Sequence, residues 1–363
     1  MTRVDSRVMQ ENLPPAGWTF MPLPTARQWG ALPKVELHRH LEGSLRLSTL
    51  VELAHEYGLP LPRTAEALRP LVEIVPGEAR SWDVFLSKFR TLRQFFRSEA
   101  VIRRVAREAV ADAAADNVCY FELRFTPVAL ANAIGAPFAS VIDWVCEEVA
   151  AESARCAIET RLIVSINRHE GAQLGGSVFD AAFDFTGQGV VAVDLAGREM
   201  DADVREFGPL FERARSRGLG VTIHAGEWVG AQSVRDALDV VAPERIGHGV
   251  RAVEDRSLLK HLARLGTVLE VCPSSNVDSG VTPSLGQHPL PALLRAGVRV
   301  TLNTDDPALC GLTLSEEFAR VREGLPVSDS DLARMTVTAA EAAFLPAEQR
   351  QALAAALRDR WAE

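Results

Sequence analysis

Residues 37–43 read Leu-His-Arg-His-Leu-Glu-Gly, so that two histidines lie two residues apart at the end of an apolar, extended run. Successive side chains of a strand point to opposite faces of its sheet. A strand over 34–40 therefore places His38 and His40 on one face and Arg39 on the other. Two imidazoles side by side can share one metal ion, although the pair could equally end a strand and hydrogen-bond locally. The rest of the chain has to decide between these interpretations.

The composition is typical of a globular protein: 363 residues, of which 47% are hydrophobic and 24% are charged. One large domain fits this length, because strand–helix barrels carry extra residues as insertions and end helices. The formal net charge of −9 argues against a nucleic-acid or acidic-membrane partner, since both favour a basic surface. We therefore expect a small-molecule partner, while the sequence indicates no oligomeric state.

The five cysteines follow no repeated spacing and are odd in number, which disfavours a disulfide framework and predicts reduced thiols. The N-terminal segment lacks the apolar run of a signal peptide, and no stretch approaches the length of a membrane span. We therefore expect a cytoplasmic protein with no membrane partner.

Two regions of the chain differ in pattern. Residues 1–30 contain several prolines and no sustained period, which predicts an irregular N-terminal arm. Residues 31–363 are predicted to form a single domain in which eight short apolar runs alternate with helical segments. The runs cover residues 34–40, 118–125, 161–167, 190–194, 220–224, 245–248, 267–271 and 298–303. This pattern predicts an α/β fold, a parallel (β/α)8 barrel of the TIM type, with extra helices after strand 1 and at the C-terminus.

The reactive side chains fall at the ends of these strands. His38, His40, His224, His248 and Asp305 each end or closely follow a predicted strand. Parallel barrels place their active sites on the face formed by the carboxyl ends of the strands. The sequence therefore predicts that these five side chains meet at one end of the barrel.

Three histidines and one aspartate form a credible open site for one divalent metal. His224 ends a strand three residues before Glu227, and Asp305 follows the last strand in Asn-Thr-Asp-Asp-Pro. Taken singly, His224 could be a core histidine and Asp305 part of an ordinary turn. Together with His38 and His40, they would hold a metal that lowers the pKa of a bound water toward neutrality. This chemistry predicts a hydrolase.

Two further residues are candidates for proton chemistry. Glu227 can donate a proton to a ring nitrogen of the substrate, and His248 can steer or deprotonate the attacking water. The glycines that flank His248 permit close approach of the backbone. Each residue has a structural alternative, because Glu227 could cap a helix and His248 could be a core histidine.

Six segments, in order, resemble the motifs of the adenosine deaminase family. They are residues 38–44 (His-Arg-His-Leu-Glu-Gly-Ser), 194–197 (Asp-Leu-Ala-Gly), 224–227 (His-Ala-Gly-Glu), 245–249 (Arg-Ile-Gly-His-Gly), 272–276 (Cys-Pro-Ser-Ser-Asn) and 303–307 (Asn-Thr-Asp-Asp-Pro). Six ordered motifs between residues 33 and 346 are a specific signal. The resemblance implies hydrolytic deamination of a 6-aminopurine nucleoside, which converts adenosine or 2′-deoxyadenosine to inosine or 2′-deoxyinosine and ammonia.

The resemblance also implies roles for individual residues. One zinc ion per chain would be held by four ligands, which are His38, His40, His224 and Asp305. Glu227 would protonate the purine N1, and His248 would orient the hydroxide.

On the substrate side, the resemblance places the Gly197 backbone at the purine N3 and the Asp306 side chain at N7. The helical run that contains Phe85 and Phe89 looks like the apolar gate of the family. The alternative is that this helical face belongs to the core.

Two departures from the family pattern bear on the substrate. Glu42 stands where enzymes that act on adenosine often have aspartate near the sugar, and Arg198 stands where an acidic residue is common. Both leave the reaction intact, so 6-aminodeoxyfutalosine and adenine remain alternative substrates. Arg198 would read the carboxylate of the former, or it would point to solvent or pair with Glu199.

Other classes of protein are less consistent with the sequence. A catalytically silent barrel should lack a ligand or the acid, yet all are present. Hydrolases that bridge two metals with a modified lysine need that lysine at a strand end, and no predicted strand ends in lysine. The zinc deaminases of nucleic acids use His-X-Glu and Pro-Cys-X-X-Cys, and this chain has neither.

Overall fold

The computed structural model describes residues 29–362, whose strands form one sheet of eight, each parallel to the next along the chain. The strands are β1 (Lys34–His40), β2 (Val118–Phe125), β3 (Glu159–Asn167), β4 (Val190–Ala196), β5 (Gly220–Ala225), β6 (Arg245–His248), β7 (Val268–Val271) and β8 (Arg299–Leu302). Main-chain bonds join the last strand to the first, since His40 N–H donates to Asp305 and Asp305 N–H donates to His38. The (β/α)8 prediction is confirmed, and all eight strands lie where the apolar runs predicted them.

The helices cover the outside of the barrel. Within residues 29–362 the α-helices are α1 (Leu47–Glu56), α2 (Ala65–Val72), α3 (Trp82–Leu92), α4 (Glu99–Ala115), α5 (Pro127–Ile134), α6 (Phe138–Cys156), α7 (Gly171–Phe183), α8 (Gly208–Ser216), α9 (Ala231–Val240), α10 (Arg256–Leu265), α11 (Pro273–Asp278), α12 (Leu290–Arg295), α13 (Pro307–Cys310), α14 (Leu314–Gly324), α15 (Asp329–Ala342) and α16 (Ala347–Ala362). The predicted extra helices are α1 to α4, between β1 and β2, and α14 to α16 after β8.

Proline and serine fix where several of these helices begin. Pro127, Pro273 and Pro307 occupy the first helical position after β2, β7 and β8, where the missing N–H costs nothing. Ser81 and Ser98 cap α3 and α4 by accepting a hydrogen bond from a backbone N–H of the first turn. The loops after three strands therefore end abruptly, which holds their polar residues at the barrel mouth.

Charged side chains fill part of the barrel interior. Arg124 and Arg245 are fully buried, and both bond Glu270, at 2.7 Å through Arg124 Nη2 and at 2.5 Å through Arg245 Nε. Arg245 also pairs with Glu122. A buried charge is tolerated only when it is paired and hydrogen-bonded, as these are. The network ties β2, β6 and β7 together beneath the strand ends.

Three further findings concern the cysteines, the length of the apolar helices and the N-terminal segment. All five cysteines are free. Among residues 29–362, no single helix is long and apolar enough to cross a bilayer, and one pair, α5 with α6, meets the length and composition together but is bent by 109°. The predicted N-terminal arm lies outside the described residues except for its last two, and the single-domain extent of residues 31–363 stays a prediction.

Candidate active site

The predicted ligands meet at the carboxyl ends of β1, β5 and β8. His38 Nε2 lies 3.1 Å from Asp305 Oδ1, and His40 Nε2 lies 3.3 Å from the same oxygen. His40 Nε2 is also 3.2 Å from His224 Nε2. Arg39, between the two histidines, turns away to pair with Glu36 at 2.7 Å. The alternation of β1 thus places the two imidazoles on one face, as the sequence predicts.

A carboxylate holds the far nitrogen of two of these histidines. Glu270 Oε2 lies 2.7 Å from His38 Nδ1, and Asp194 Oδ1 lies 3.1 Å from His224 Nδ1. Each Nδ1 then carries the proton, which leaves Nε2 with a free lone pair. Within residues 29–362, His38 Nε2 is buried and has no hydrogen-bond partner. Carboxylates behind imidazoles are the usual outer partners of metal ligands, so the donor set fits a divalent metal.

A fifth group also reaches this cluster. Ligand atoms of His38, His224, His248 and Asp305 all lie within 4.8 Å of one another, a set that contains His248 in place of His40. His248 Nε2 is 3.9 Å from Asp305 Oδ2, whereas His40 Nε2 is only 3.3 Å from Asp305 Oδ1. His40 Nε2 thus approaches the Asp305 carboxylate more closely than His248 Nε2 does.

Two site residues have a backbone conformation that residues other than glycine rarely adopt. His248 has φ 60° and Asp305 has φ 66°, both in the left-handed region. Such conformations cost on the order of 1–3 kcal/mol and persist only where the surrounding structure holds them. Asp305 is held on both sides by its main-chain bonds to β1 and by Ser275 Oγ, which donates to Oδ2 at 2.6 Å. The strain turns both side chains into the barrel mouth.

The carboxyl groups at the site differ in charge. Burial alone would raise the pKa of Asp305, but its close contacts with the imidazoles of His38 and His40 hold that pKa well below its usual value. Burial, with Asp305 and Glu199 nearby, raises the pKa of Glu227 well above its usual range. These shifts favour the ionised form of Asp305 and the protonated form of Glu227, which can donate its proton.

Asp306 is a second acid whose protonated form is favoured. Burial raises its pKa well above the usual range, and the neighbouring carboxyl groups, of which Asp305 is the first, raise it further. Its Oδ1 is buried without a hydrogen-bond partner. A protonated carboxyl can donate to a ring nitrogen, which a carboxylate cannot do.

A cavity of about 280 Å³ opens above the histidines and Asp305, and all the residues predicted to bind substrate line its wall. Phe85 and Phe89 of α3 line it with their rings 6.2 Å apart, so this helical face contributes to the cavity wall. Gly197 lines it with φ 80°, and a Cβ there would lie 3.2 Å from the Arg168 backbone nitrogen. Glycine lets this backbone approach a ligand closely.

Glu42 lies in the same wall, next to β2. Its Oε1 accepts a hydrogen bond from Thr126 N–H at 2.7 Å, and its Oε2 is buried without a partner. Burial raises the pKa of Glu42 to about 7. One oxygen of Glu42 is therefore fixed by the protein, and the other is available to a ligand.

Arg198 is already engaged. Its guanidinium donates to Asp201 Oδ1 at 2.6 and 2.8 Å and lies 4.6 Å from the centre of the Trp82 ring. The alternative pairing with Glu199 is replaced by this pairing with Asp201. Glu199 instead accepts backbone hydrogen bonds from residues 226–229, and so fixes the loop that carries Glu227.

Several residues that organise this site have no role that the sequence patterns predict. They are Arg124, Asp194, Glu199, Glu270, Ser275 and Asn276. One signal was available, since Glu270 interrupts the apolar run of β7 and Arg124 interrupts that of β2. Charges inside apolar strands indicate a polar barrel interior, but not which histidine each carboxylate supports.

Comparison with known proteins agrees with this geometry. The model of the family described as adenosine deaminase matches residues 33–360. An adenine deaminase from Rhizobium leguminosarum bv. trifolii is 41% identical over 90% of this chain and 99% of its own length. An adenosine deaminase from Erwinia tasmaniensis is 38% identical over 90% of this chain and 98% of its own.

A solved structure supports the same assignment. The amidohydrolase from Burkholderia ambifaria, determined with bound Zn, superposes with a TM-score of 0.83 and 27% identity. The alignment covers 97% of this chain and 96% of that one. The family model covers most of the chain, the relatives are deaminases, and the metal-type cluster lies at the barrel mouth. This chain is a metal-dependent aminohydrolase that belongs to the adenosine deaminase family.

Proposed function

We propose that this protein deaminates adenosine and 2′-deoxyadenosine hydrolytically, with one zinc ion per chain held by His38, His40, His224 and Asp305. When bound, the metal supplies a hydroxide nucleophile at neutral pH. The relatives include both adenosine and adenine deaminases, so the choice between nucleoside and base rests on the cavity of this chain.

The chain's own acids would bind and protonate the purine. Glu227, held neutral by burial, would donate its proton to N1 as the attack on C6 proceeds. Asp306, also neutral, would donate to N7, and the Gly197 backbone would face N3. His248 would bind the attacking oxygen. With the amino group leaving as ammonia, the products are inosine and ammonia.

The observation that carries the nucleoside assignment is the polar wall on the far side of the cavity. If N1 faces β5, N3 faces β4 and N7 faces β8, then N9 points to the wall made by the ends of β1, β2 and β3. That wall is lined by Glu42, Thr126, Asn167 and His169. A hydroxyl-bearing sugar suits this polar lining, in which Glu42 Oε2 is available to accept a hydrogen bond from a sugar hydroxyl.

Adenine is the second candidate, and Glu42 is the observation that favours it. The unpartnered Oε2 of Glu42 could accept a hydrogen bond from N9–H, which adenine has and adenosine lacks. 6-Aminodeoxyfutalosine ranks lower, because the guanidinium expected to bind its carboxylate is already paired with Asp201.

The test is kcat/KM for adenosine, 2′-deoxyadenosine, adenine and 6-aminodeoxyfutalosine. Two sugar hydrogen bonds of about 1 kcal/mol each give the nucleosides an advantage of about thirtyfold over adenine. A higher kcat/KM for adenine would overturn the nucleoside assignment in favour of the base.

Arg198→Ala tests the remaining alternative. Since an exposed ion pair contributes little, the substitution should change kcat/KM for adenosine by less than about threefold. A selective loss with 6-aminodeoxyfutalosine, together with a wild-type preference for it, would make that compound the substrate.

A further inference from the structure

A chain of hydrogen bonds runs from a helix start to His248. Leu290 N–H, at the start of α12, donates to His288 Nδ1 at 3.1 Å. His288 Nε2 lies 3.2 Å from Asn276 Oδ1, and Asn276 Nδ2 lies 3.1 Å from His248 Nδ1. All three side chains are buried, with at most 3% of each exposed. Bulk water therefore cannot replace any of these bonds.

The direction of this chain is fixed at its far end. A backbone N–H can only donate, so His288 Nδ1 must be an acceptor. Burial lowers the pKa of His288 to about 3, so the imidazole is neutral and carries its one proton on Nε2. That proton is donated to Asn276 Oδ1. The amide of Asn276 then presents Nδ2 to His248, whose Nδ1 accepts.

The opposite orientation of the Asn276 amide is chemically excluded. A flipped amide would present Nδ2 to His288, which would then accept hydrogen bonds at both ring nitrogens. Only an imidazolate has two acceptor nitrogens, and no neutral histidine can supply them. The donor role of Leu290 N–H therefore fixes the direction of every bond in the series, so that Asn276 Nδ2 donates to His248 Nδ1.

This bond direction determines the protonation of the second ring nitrogen of His248, Nε2. Because Nδ1 accepts, a neutral His248 carries its proton on Nε2. This Nε2 is 3.6 Å from Glu227 Oε2 and 3.9 Å from Asp305 Oδ2, both too long for a direct hydrogen bond. The N–H thus points into the space where the attacking oxygen has to lie.

We propose that His288, acting through Asn276, is a positioning residue that holds His248 in the Nε2–H tautomer, so that His248 donates a hydrogen bond to the attacking oxygen and is not a metal ligand. This inference deepens the proposed deamination and rests on it for the identity of that oxygen. It also gives a reason, separate from the distances to Asp305, why His248 would not be a metal ligand.

The direct test is the tautomer of His248, read from its ¹⁵N chemical shifts in the full-length, zinc-loaded protein without substrate. His248→Gln identifies the signals. We expect a protonated Nε2 and an unprotonated Nδ1. A protonated Nδ1, or an Nε2 shift typical of metal ligation, would overturn the proposal. This readout needs no turnover, so it stands even if the substrate is not adenosine.

Asn276→Asp reverses the last bond with little change in shape. The carboxylate still accepts from His288 Nε2, but it now also accepts from His248 Nδ1, so the His248 proton should move there. We expect the ¹⁵N pattern to invert, kcat for adenosine to fall about a hundredfold, and KM and zinc content to change less than threefold. An unchanged tautomer with unchanged kcat would overturn the proposal.

His288 is tested with variants that do not introduce a charge. His288→Phe removes the donor and frees the Asn276 amide to rotate, so kcat should fall at least tenfold with zinc retained against a chelator. His288→Gln restores an N–H donor and should recover most of that loss. His261→Phe is the matched control, since His261 lies at the surface and bonds Arg264 one turn along its own helix. Equal, small effects of His288→Phe and His261→Phe would refute a positioning role.

Discussion

Gly43 packs so closely against Asp306 that a single methyl group should misplace the acid. A Cβ at residue 43 would lie 1.9 Å from Asp306 Oδ1 and 2.7 Å from Asp306 Cβ. Cβ atoms essentially never approach other heavy atoms within 3.0 Å. In Gly43→Ala, Asp306 or the turn over Leu41–Gly43 must therefore shift by about 1.1 Å, which is the difference between the 1.9 Å approach to Oδ1 and the 3.0 Å limit.

The size of the effect follows from this shift. Asp306 is buried and cannot rotate into solvent, and its backbone begins α13. A displacement of about 1 Å in a group that orients the substrate can cost about a hundredfold in rate. We expect Gly43→Ala to lower kcat/KM for adenosine by about a hundredfold and to lower the melting temperature, because overpacking costs about 1–3 kcal/mol.

The assay is steady-state deamination, followed by the absorbance change of the purine, together with zinc content and thermal unfolding. Gly286→Ala is the matched control, since a Cβ there meets nothing within 4 Å and the backbone φ is not positive. The control should stay within twofold of wild type in rate. A folded, zinc-loaded Gly43→Ala protein within threefold of wild type would refute the reasoning, because Asp306 would then not need its observed position.

Three further predictions concern the acids. Glu227→Gln should keep zinc but lose about 10²- to 10⁴-fold in kcat, because an amide cannot deliver a proton to N1; a rate near wild type would identify another acid. Asp305→Ala should lose zinc and activity together, and full zinc occupancy would remove Asp305 from the ligand set. Glu42 has a folded-state pKa of about 7 against 4.5 for the free side chain, so its burial costs stability as pH rises between these values. In metal-free protein, Glu42→Gln should weaken the fall in the free energy of unfolding over this range, and an identical pH profile would contradict the assignment.

Patterns along the chain were enough to predict the barrel. The alternation in residues 34–40 gave the shared face of His38 and His40, because a strand repeats every two residues whatever surrounds it. The eight apolar runs gave the strands of a parallel barrel, since such strands are buried on both faces. Because His224 and Asp305 lie at strand ends, the sequence predicts that they come close together, since parallel strands bring all their carboxyl ends to one side of the barrel.

Tertiary structure decided the partners of those residues. Glu270 supports His38 from 232 positions away, and no local period encodes that contact. The sequence left Arg198 to bind a substrate carboxylate, face solvent or pair with Glu199. In the structure it pairs with Asp201, while Glu199 is taken by the backbone of residues 226–229. Charge states were equally out of reach. The pKa values of Glu227 and Asp306 are raised because burial and neighbouring carboxylates act on them together, and both effects exist only once distant segments have packed.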